Sequence, residues 1–148
     1  MFRGNHPAKI DEKGRLKMPA AFKALVDATN VKQFYITSTN GKTVQVWPLP
    51  EWEEREKQVT GLGEMTVMVR NYLRLTSYYG QQVEMDTQGR LLMPQKLRNA
   101  ARLDNMEADV IGMSNFIEVH NHDELEKELP VFSDDDSDKL AAILRQQG

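Results

Sequence analysis

The stretch Asp11-Glu12-Lys13-Gly14-Arg15-Leu16-Lys17-Met18-Pro19 returns, 75 residues on, as Asp86-Thr87-Gln88-Gly89-Arg90-Leu91-Leu92-Met93-Pro94. Over the twelve positions that start at Ala8 and at Val83, six residues are identical: Asp, Gly, Arg, Leu, Met and Pro. Self-similarity at a fixed offset marks an internal repeat, and here both copies make the same local sense. Gly14 and Gly89 supply the positive φ of a tight turn. Asp11 and Asp86, three residues earlier, accept hydrogen bonds from turn N–H groups. Leu16 and Met18, like Leu91 and Met93, occupy alternate positions, as the buried side of a strand does. Pro19 and Pro94 fix φ where a helix begins, at a position whose missing N–H costs nothing. Each half is therefore expected to fold as a hairpin, 8–11 with 15–18 and 82–86 with 90–93, that presents an arginine just past its turn.

Outward from this motif the two halves stay parallel. Short helices are expected at 20–28, with Phe22, Leu25 and Val26 on one side, and at 94–102. A second strand pair, 33–37 with 43–47, surrounds the turn dipeptide Asn40-Gly41. Residues 110–111 and 116–120 repeat it around Ser114-Asn115. Pro48-Leu49-Pro50 ends the first pair and leads into a polar helix, 51–59, anchored by Trp52. His120-Asn121-His122-Asp123 takes the corresponding place in the second half. The expected order in each half is β-β-α-β-β-α. Gly61-Leu62-Gly63 is the one plausible joint.

Two segments stand outside this scheme. Residues 64–79 form the most apolar helix, with Met65, Met68, Tyr72, Leu75 and Tyr79 at 3–4 spacing, and such a helix is expected to be buried on more than one side, either between the halves or against another subunit. Residues 133–147 read as a Ser-capped helix with acids in its first turn and a narrow stripe of Leu140, Ile143 and Leu144. No counterpart for it is visible in the first half. The organisation expected is thus a first repeat at 1–63, a central helix at 64–80, a second repeat at 81–130 and a C-terminal helix at 131–148.

Charge narrows the range of partners. The net charge is −3, so this is not a globally basic chain. The sign is unevenly spread, however. Residues 1–20 carry Arg3, Lys9, Lys13, Arg15 and Lys17 against Asp11 and Glu12. Residues 86–102 carry Arg90, Lys96, Arg98 and Arg102 against Asp86 alone. Both copies of the motif therefore lie in the basic parts of an acidic protein. With no cysteine, thiolate chemistry and disulfides are excluded. No apolar run reaches the length of a transmembrane helix, and the first residues lack the apolar core of a signal peptide. A cytoplasmic protein is expected.

A doubled Asp-x-x-Gly-Arg-x-x-x-Pro in a chain of this length resembles the bacterial MraZ family, tandem pairs of AbrB-type swapped-hairpin domains. The resemblance also takes in Phe2-Arg3-Gly4, the helix end at 76–79 and the strand exits at Pro48 and Asp123. It implies an α+β fold in which two pseudo-symmetric AbrB-like halves form a shared small β-barrel core with flanking helices. It further implies a transcriptional regulator, expected to be a repressor, of the division and cell-wall gene cluster, its own promoter included. The partners implied are double-stranded DNA at short promoter direct repeats and the chain itself, as a ring-shaped homo-oligomer associated with the nucleoid. Neither catalysis, nor a cofactor, nor a small-molecule substrate, nor a membrane comes with the resemblance.

Arg15 and Arg90 are the foremost candidates for DNA contact, because a guanidinium beside a turn can fork onto guanine O6/N7 or a phosphate. Lys13 and Lys17 flank Arg15 as phosphate-directed charges, and Arg3 and Lys9 are candidates for the same face. Asp11, Gly14, Asp86 and Gly89 are read as turn-formers. A plainer role for both arginines is to pair with Asp11 and Asp86 and pin the turns, and the two roles are compatible. A protein-interaction module of antitoxin type is the alternative function. An enzyme built on a His120, His122 and Asp123 metal site is the more distant one.

Overall fold

Among residues 1–147, which the computed structural model describes, eight strands and six helices follow in two equal series. The first runs β1 (Asn5–Lys9), β2 (Arg15–Lys17), α1 (Ala20–Thr29), β3 (Gln33–Thr37), β4 (Val44–Pro48), α2 (Leu49–Thr60) and α3 (Val67–Tyr78). The second runs β5 (Gln81–Glu84), β6 (Arg90–Leu92), α4 (Gln95–Ala100), β7 (Glu107–Gly112), β8 (Ile117–Asn121), α5 (His122–Glu128) and α6 (Asp134–Gln147). Proline supplies the entry to three helices: Pro19, Pro48 and Pro94 hold the extended ψ of an N-cap ahead of α1, α2 and α4. Elsewhere side chains cap, with Thr66 Oγ1 accepting from the Val69 N–H, and Ser133 Oγ from the Asp136 N–H. The repeat is complete at the level of elements. The expectation that the C-terminal helix has no counterpart is therefore corrected, since α6 stands where α3 stands in the first series. Their sequences diverge, which hid the match. Gly148 lies outside the described residues.

The pairing of strands departs from two self-contained hairpins. Each turn closes as expected: the Asp11 N–H donates to the Arg15 carbonyl at 3.0 Å and the Gly14 N–H to the Asp11 carbonyl at 2.9 Å. Past the turn the strands part company. β1 pairs antiparallel with β7 of the other half, and β5 with β3, while β2 and β6 pair only with each other. The main sheet reads β1-β7-β8-β4-β3-β5, an order that exchanging the halves leaves unchanged. A three-residue β2 offers too short a partner for an independent hairpin. By crossing over, β1 and β5 instead complete a six-stranded sheet. No ladder among the described residues closes this sheet round on itself, so the shared core lies between sheet and β2–β6 ribbon.

That core draws on both series. Phe22 and Val26 of α1 and Leu97 of α4 meet Leu16, Met18, Leu91 and Met93 of the ribbon and Phe34, Ile36, Val44, Val110 and Val119 of the sheet. Part of the sheet's opposite face is covered by α2, whose Trp52 stacks on Tyr35 at 4.7 Å, and Trp47 lies on Phe116 at 4.2 Å.

Within the single chain the central helix is buried along one row only, which leaves the rest of its apolar surface to the subunit contact that is the other expectation. It starts at Val67 rather than at residue 64, and Val69 and Thr76 are its buried residues, whereas Met68 is 74 % exposed and Leu75 also faces solvent. The orientation is set by polar anchoring. Tyr35 Oη and Thr37 Oγ1 both donate to the Thr76 carbonyl, at 2.9 and 2.7 Å. That turns the Val69–Thr76 row, seven residues apart, toward the sheet and the Met68–Leu75 row away from it. Apolar residues lie on several sides of α3, so spacing alone did not select the buried row.

Candidate nucleic-acid interface

Each turn is organised by one carboxylate. Asp11 Oδ1 accepts the N–H groups of Lys13 and Arg15, both at 2.9 Å, and Oδ2 holds Arg15 Nε at 2.8 Å. Asp86 repeats this with Gln88 and Arg90 at 2.9, 2.9 and 2.8 Å. The donated N–H of Arg15, then its guanidinium, holds the Asp11 carboxyl below the ordinary carboxylate value. The N–H and guanidinium of Arg90 do the same for Asp86. Both arginines therefore pin their turns. Only Nε is committed, however. Their terminal amino groups make no hydrogen bond among the described residues, and the side chains remain 26 % and 27 % exposed. The aspartate fixes where the fork points and leaves its outer edge free.

The ribbon combines the two copies. Arg15 stands opposite Leu92, Leu16 opposite Leu91 and Lys17 opposite Arg90. Directly opposed residues share a face, so fully buried Leu16 and Leu91 define the inner face. Arg15, Lys17, Arg90 and Leu92 form the outer one. The Met18 N–H donates to the Gly89 carbonyl and the Met93 N–H to the Gly14 carbonyl, each at 2.9 Å, tying each strand end to the other half's turn. Because the strands are antiparallel, the turns sit at opposite ends, Lys13 near one and Gln88 near the other. Lys17 and Arg90 are like charges in direct opposition, an arrangement that costs free energy and that the Asp86 carboxylate on Arg90 only partly offsets.

Of the residues expected at the interface, Lys13, Arg15, Lys17 and Arg90 are brought together. Arg3 and Lys9 lie outside the ribbon, Lys9 at the end of β1 two residues before Asp11. Lys9 stands opposite Glu107 on β7, and Arg3 lies beyond the far end of β1, six residues or roughly 20 Å of strand from Lys9. Sequence reasoning missed Lys23 and Arg98. The aliphatic chain of Lys23 covers Gly89, and the Arg98 guanidinium covers Gly14. They are separated by the repeat offset of 75, a signal that was present. Each packs on the other half's turn, which no spacing within one copy reveals.

The histidines do not converge. His120 Nε2 meets Glu118 at 2.9 Å, while His122 Nδ1 meets Asp109 at 2.7 Å and its Nε2 meets Glu126 at 3.2 Å. The hydrogen bond to Asp109 raises the His122 pKa above the ordinary imidazole value. No group of three His, Asp or Glu side chains among the described residues is placed to hold a metal ion, which removes the basis of the His120, His122 and Asp123 reading.

A family model described as "MraZ protein, putative antitoxin-like" matches residues 1–74 and 80–145, one copy of the turn motif in each stretch. The chain belongs to the MraZ family. It is 44 % identical over 143 residues to Transcriptional regulator MraZ of Acidobacterium capsulatum, covering 95 % of this chain and 97 % of that protein. It is 43 % identical over 130 residues to Transcriptional regulator MraZ of Koribacter versatilis, covering 87 % and 88 %. The protein of the same name from Thiobacillus denitrificans is 32 % identical over 121 residues, covering 82 % and 81 %. Membership of the MraZ family makes this chain a transcriptional regulator, a role without catalysis. No helix among the described residues is long and apolar enough to cross a membrane.

Proposed function

We propose that this chain binds DNA sequence-specifically and represses transcription of the division and cell-wall gene cluster, its own promoter included, from the nucleoid. The observation that carries the reading is the outer face of the β2–β6 ribbon, which sets Lys17 against Arg90 and carries Arg15 and Arg90, each oriented by an aspartate. A two-stranded ribbon fits the major groove. There the free edges of Arg15 and Arg90 reach guanine or phosphate, and Lys13 and Lys17 track phosphates.

One ribbon carries too little charge to bind tightly. A ring-shaped homo-oligomer solves this by offering several ribbons to successive promoter repeats, so that each contact raises the effective concentration of the next. Exposed apolar side chains support self-association: Met68, Leu75 and Tyr78 on α3, Leu140, Ile143 and Leu144 on α6, and Leu129, Val131 and Phe132 between α5 and α6.

Gel-shift with the DNA upstream of the chain's own gene, at two salt concentrations and alongside size-exclusion mass, tests the reading. Arg15→Ala is expected to keep the fold and the assembled mass while losing about tenfold or more in affinity. An assembled Arg15→Ala protein that binds as tightly as the parent refutes it.

A further inference from the structure

We infer that Leu92 is a base-reading residue that contacts the 5-methyl group of thymine in the major groove, giving each protomer a fixed polarity on DNA. The inference deepens the DNA-binding reading and rests on it. It starts from a break in the pseudo-symmetry of the ribbon. The repeat offset relates Arg15 to Arg90 and Lys17 to Leu92. Three of the four outer positions are therefore cationic and the fourth is aliphatic. Leu92 is 49 % exposed, while its neighbours in the two strands, Leu91 and Leu16, are fully buried. The chain thus has a use for leucine on the inner face, where it fills the core. On the outer face Leu92 gains no such burial, and it stands directly opposite Arg15.

Groove chemistry supplies the complement. A guanidinium forks onto guanine and an ammonium meets phosphate, but an aliphatic side chain on a major-groove reader has one apolar target on a base edge, the thymine methyl. Leu92 is held at a fixed distance from Arg15 by the cross-strand register, so the two would read neighbouring base pairs as a unit. Lys17 takes the pseudo-equivalent place beside Arg90, so that end of the ribbon meets phosphate instead. The two ends are then unlike: one reads a methyl beside a fork, the other neutralises charge. A protomer docked in reverse would lay Lys17 over the methyl and Leu92 over a phosphate, and both contacts would be lost. Gln88 in place of Lys13 makes the turns unlike as well, with Lys13 at the Arg15–Leu92 end and a neutral side chain at the Arg90–Lys17 end.

Two duplexes of the chain's own upstream sequence decide the matter, one ordinary and one with uracil replacing every thymine, which deletes only the 5-methyl groups. The full-length protein is expected to bind the uracil duplex about fourfold more weakly for each contacted methyl, the worth of burying one such group. Leu92→Ala is expected to bind both duplexes equally, at the parent's affinity for the uracil duplex. Lys17→Ala is expected to weaken binding to both while leaving their ratio unchanged, which separates methyl reading from general loss of affinity. If the parent binds both duplexes alike, or if Leu92→Ala keeps the parent's preference, the assignment of Leu92 is overturned while DNA binding stands. If the parent binds neither duplex above unrelated DNA, the DNA-binding reading itself falls and this inference with it.

Discussion

Arg98 lies over Gly14 from the opposite half of the molecule: a Cβ added to the glycine would sit 2.5 Å from the Arg98 Cζ. The contact is one of an exchanged pair, since Lys23 covers Gly89 in the same manner. Each turn is thereby held by its own aspartate from within and by a basic side chain of the partner half from outside. Arg98 is itself fixed, its Nε donating to the Met93 carbonyl at 3.0 Å and its Nη1 to Asp104 at 3.0 Å.

Gly14→Ala should therefore destabilise the fold. Gly14 has φ +81°, a conformation that costs a residue with a Cβ about 1–2 kcal/mol, and Arg98 must also leave its place. Thermal unfolding of Gly14→Ala and Gly89→Ala should show lowered midpoints for both. The second loss should be smaller, because the flexible Lys23 chain makes only an exposed ion pair with Asp27.

Lys17→Ala should separate stability from binding. It removes a like-charge pair with Arg90, so the free protein should be unchanged or slightly more stable, by less than about 1 kcal/mol. Affinity for DNA should fall across sequences, and the slope of log affinity against log salt should flatten by about 1. Denaturant melts and a salt titration of binding check the two halves of this prediction.

The turn carboxylates should make the protein acid-sensitive. Asp11 and Asp86 both titrate below the ordinary carboxylate value in the folded chain. Their contribution to stability is thus present above about pH 3.9, and it is lost as pH falls through their lowered folded values. The double change Asp11→Asn and Asp86→Asn should reduce the melting temperature at neutral pH, and the gap from the parent should close as pH drops into the carboxylate range.

His122 should act with the opposite sign. Its folded pKa is raised, chiefly by the hydrogen bond to Asp109. The stability it contributes is full below about pH 6.5 and declines as pH rises through the raised value. His122→Gln should accordingly lower the melting temperature more at about pH 5.5 than at about pH 8.5. A pH-independent difference would show that the imidazolium plays no part.

Much of this molecule was legible in the chain itself. The duplicated motif defined two halves. Asp11 and Gly14 specified a turn, the prolines marked helix starts, and alternation at Leu16, Met18, Leu91 and Met93 named the buried side of the ribbon. These are local properties: a carboxylate three residues before a glycine forms its hydrogen bonds whatever lies further away. The orientation of Arg15 and Arg90 by their aspartates belongs to this class.

Only the tertiary structure decided which strand meets which. Period-two alternation tells a strand which face to bury and says nothing about its neighbour, so β1 suits β2 and β7 equally well on pattern. Completing the long sheet selected β7, and that exchange placed Lys17 against Arg90, Leu92 against Arg15 and Arg98 over Gly14. The outward turn of Met68 and Leu75 on α3 came likewise from a distant contact, the two hydroxyl groups of Tyr35 and Thr37 on the Thr76 carbonyl. The identities of the charged residues were written in the chain; their arrangement as one surface arose from the crossing of its halves.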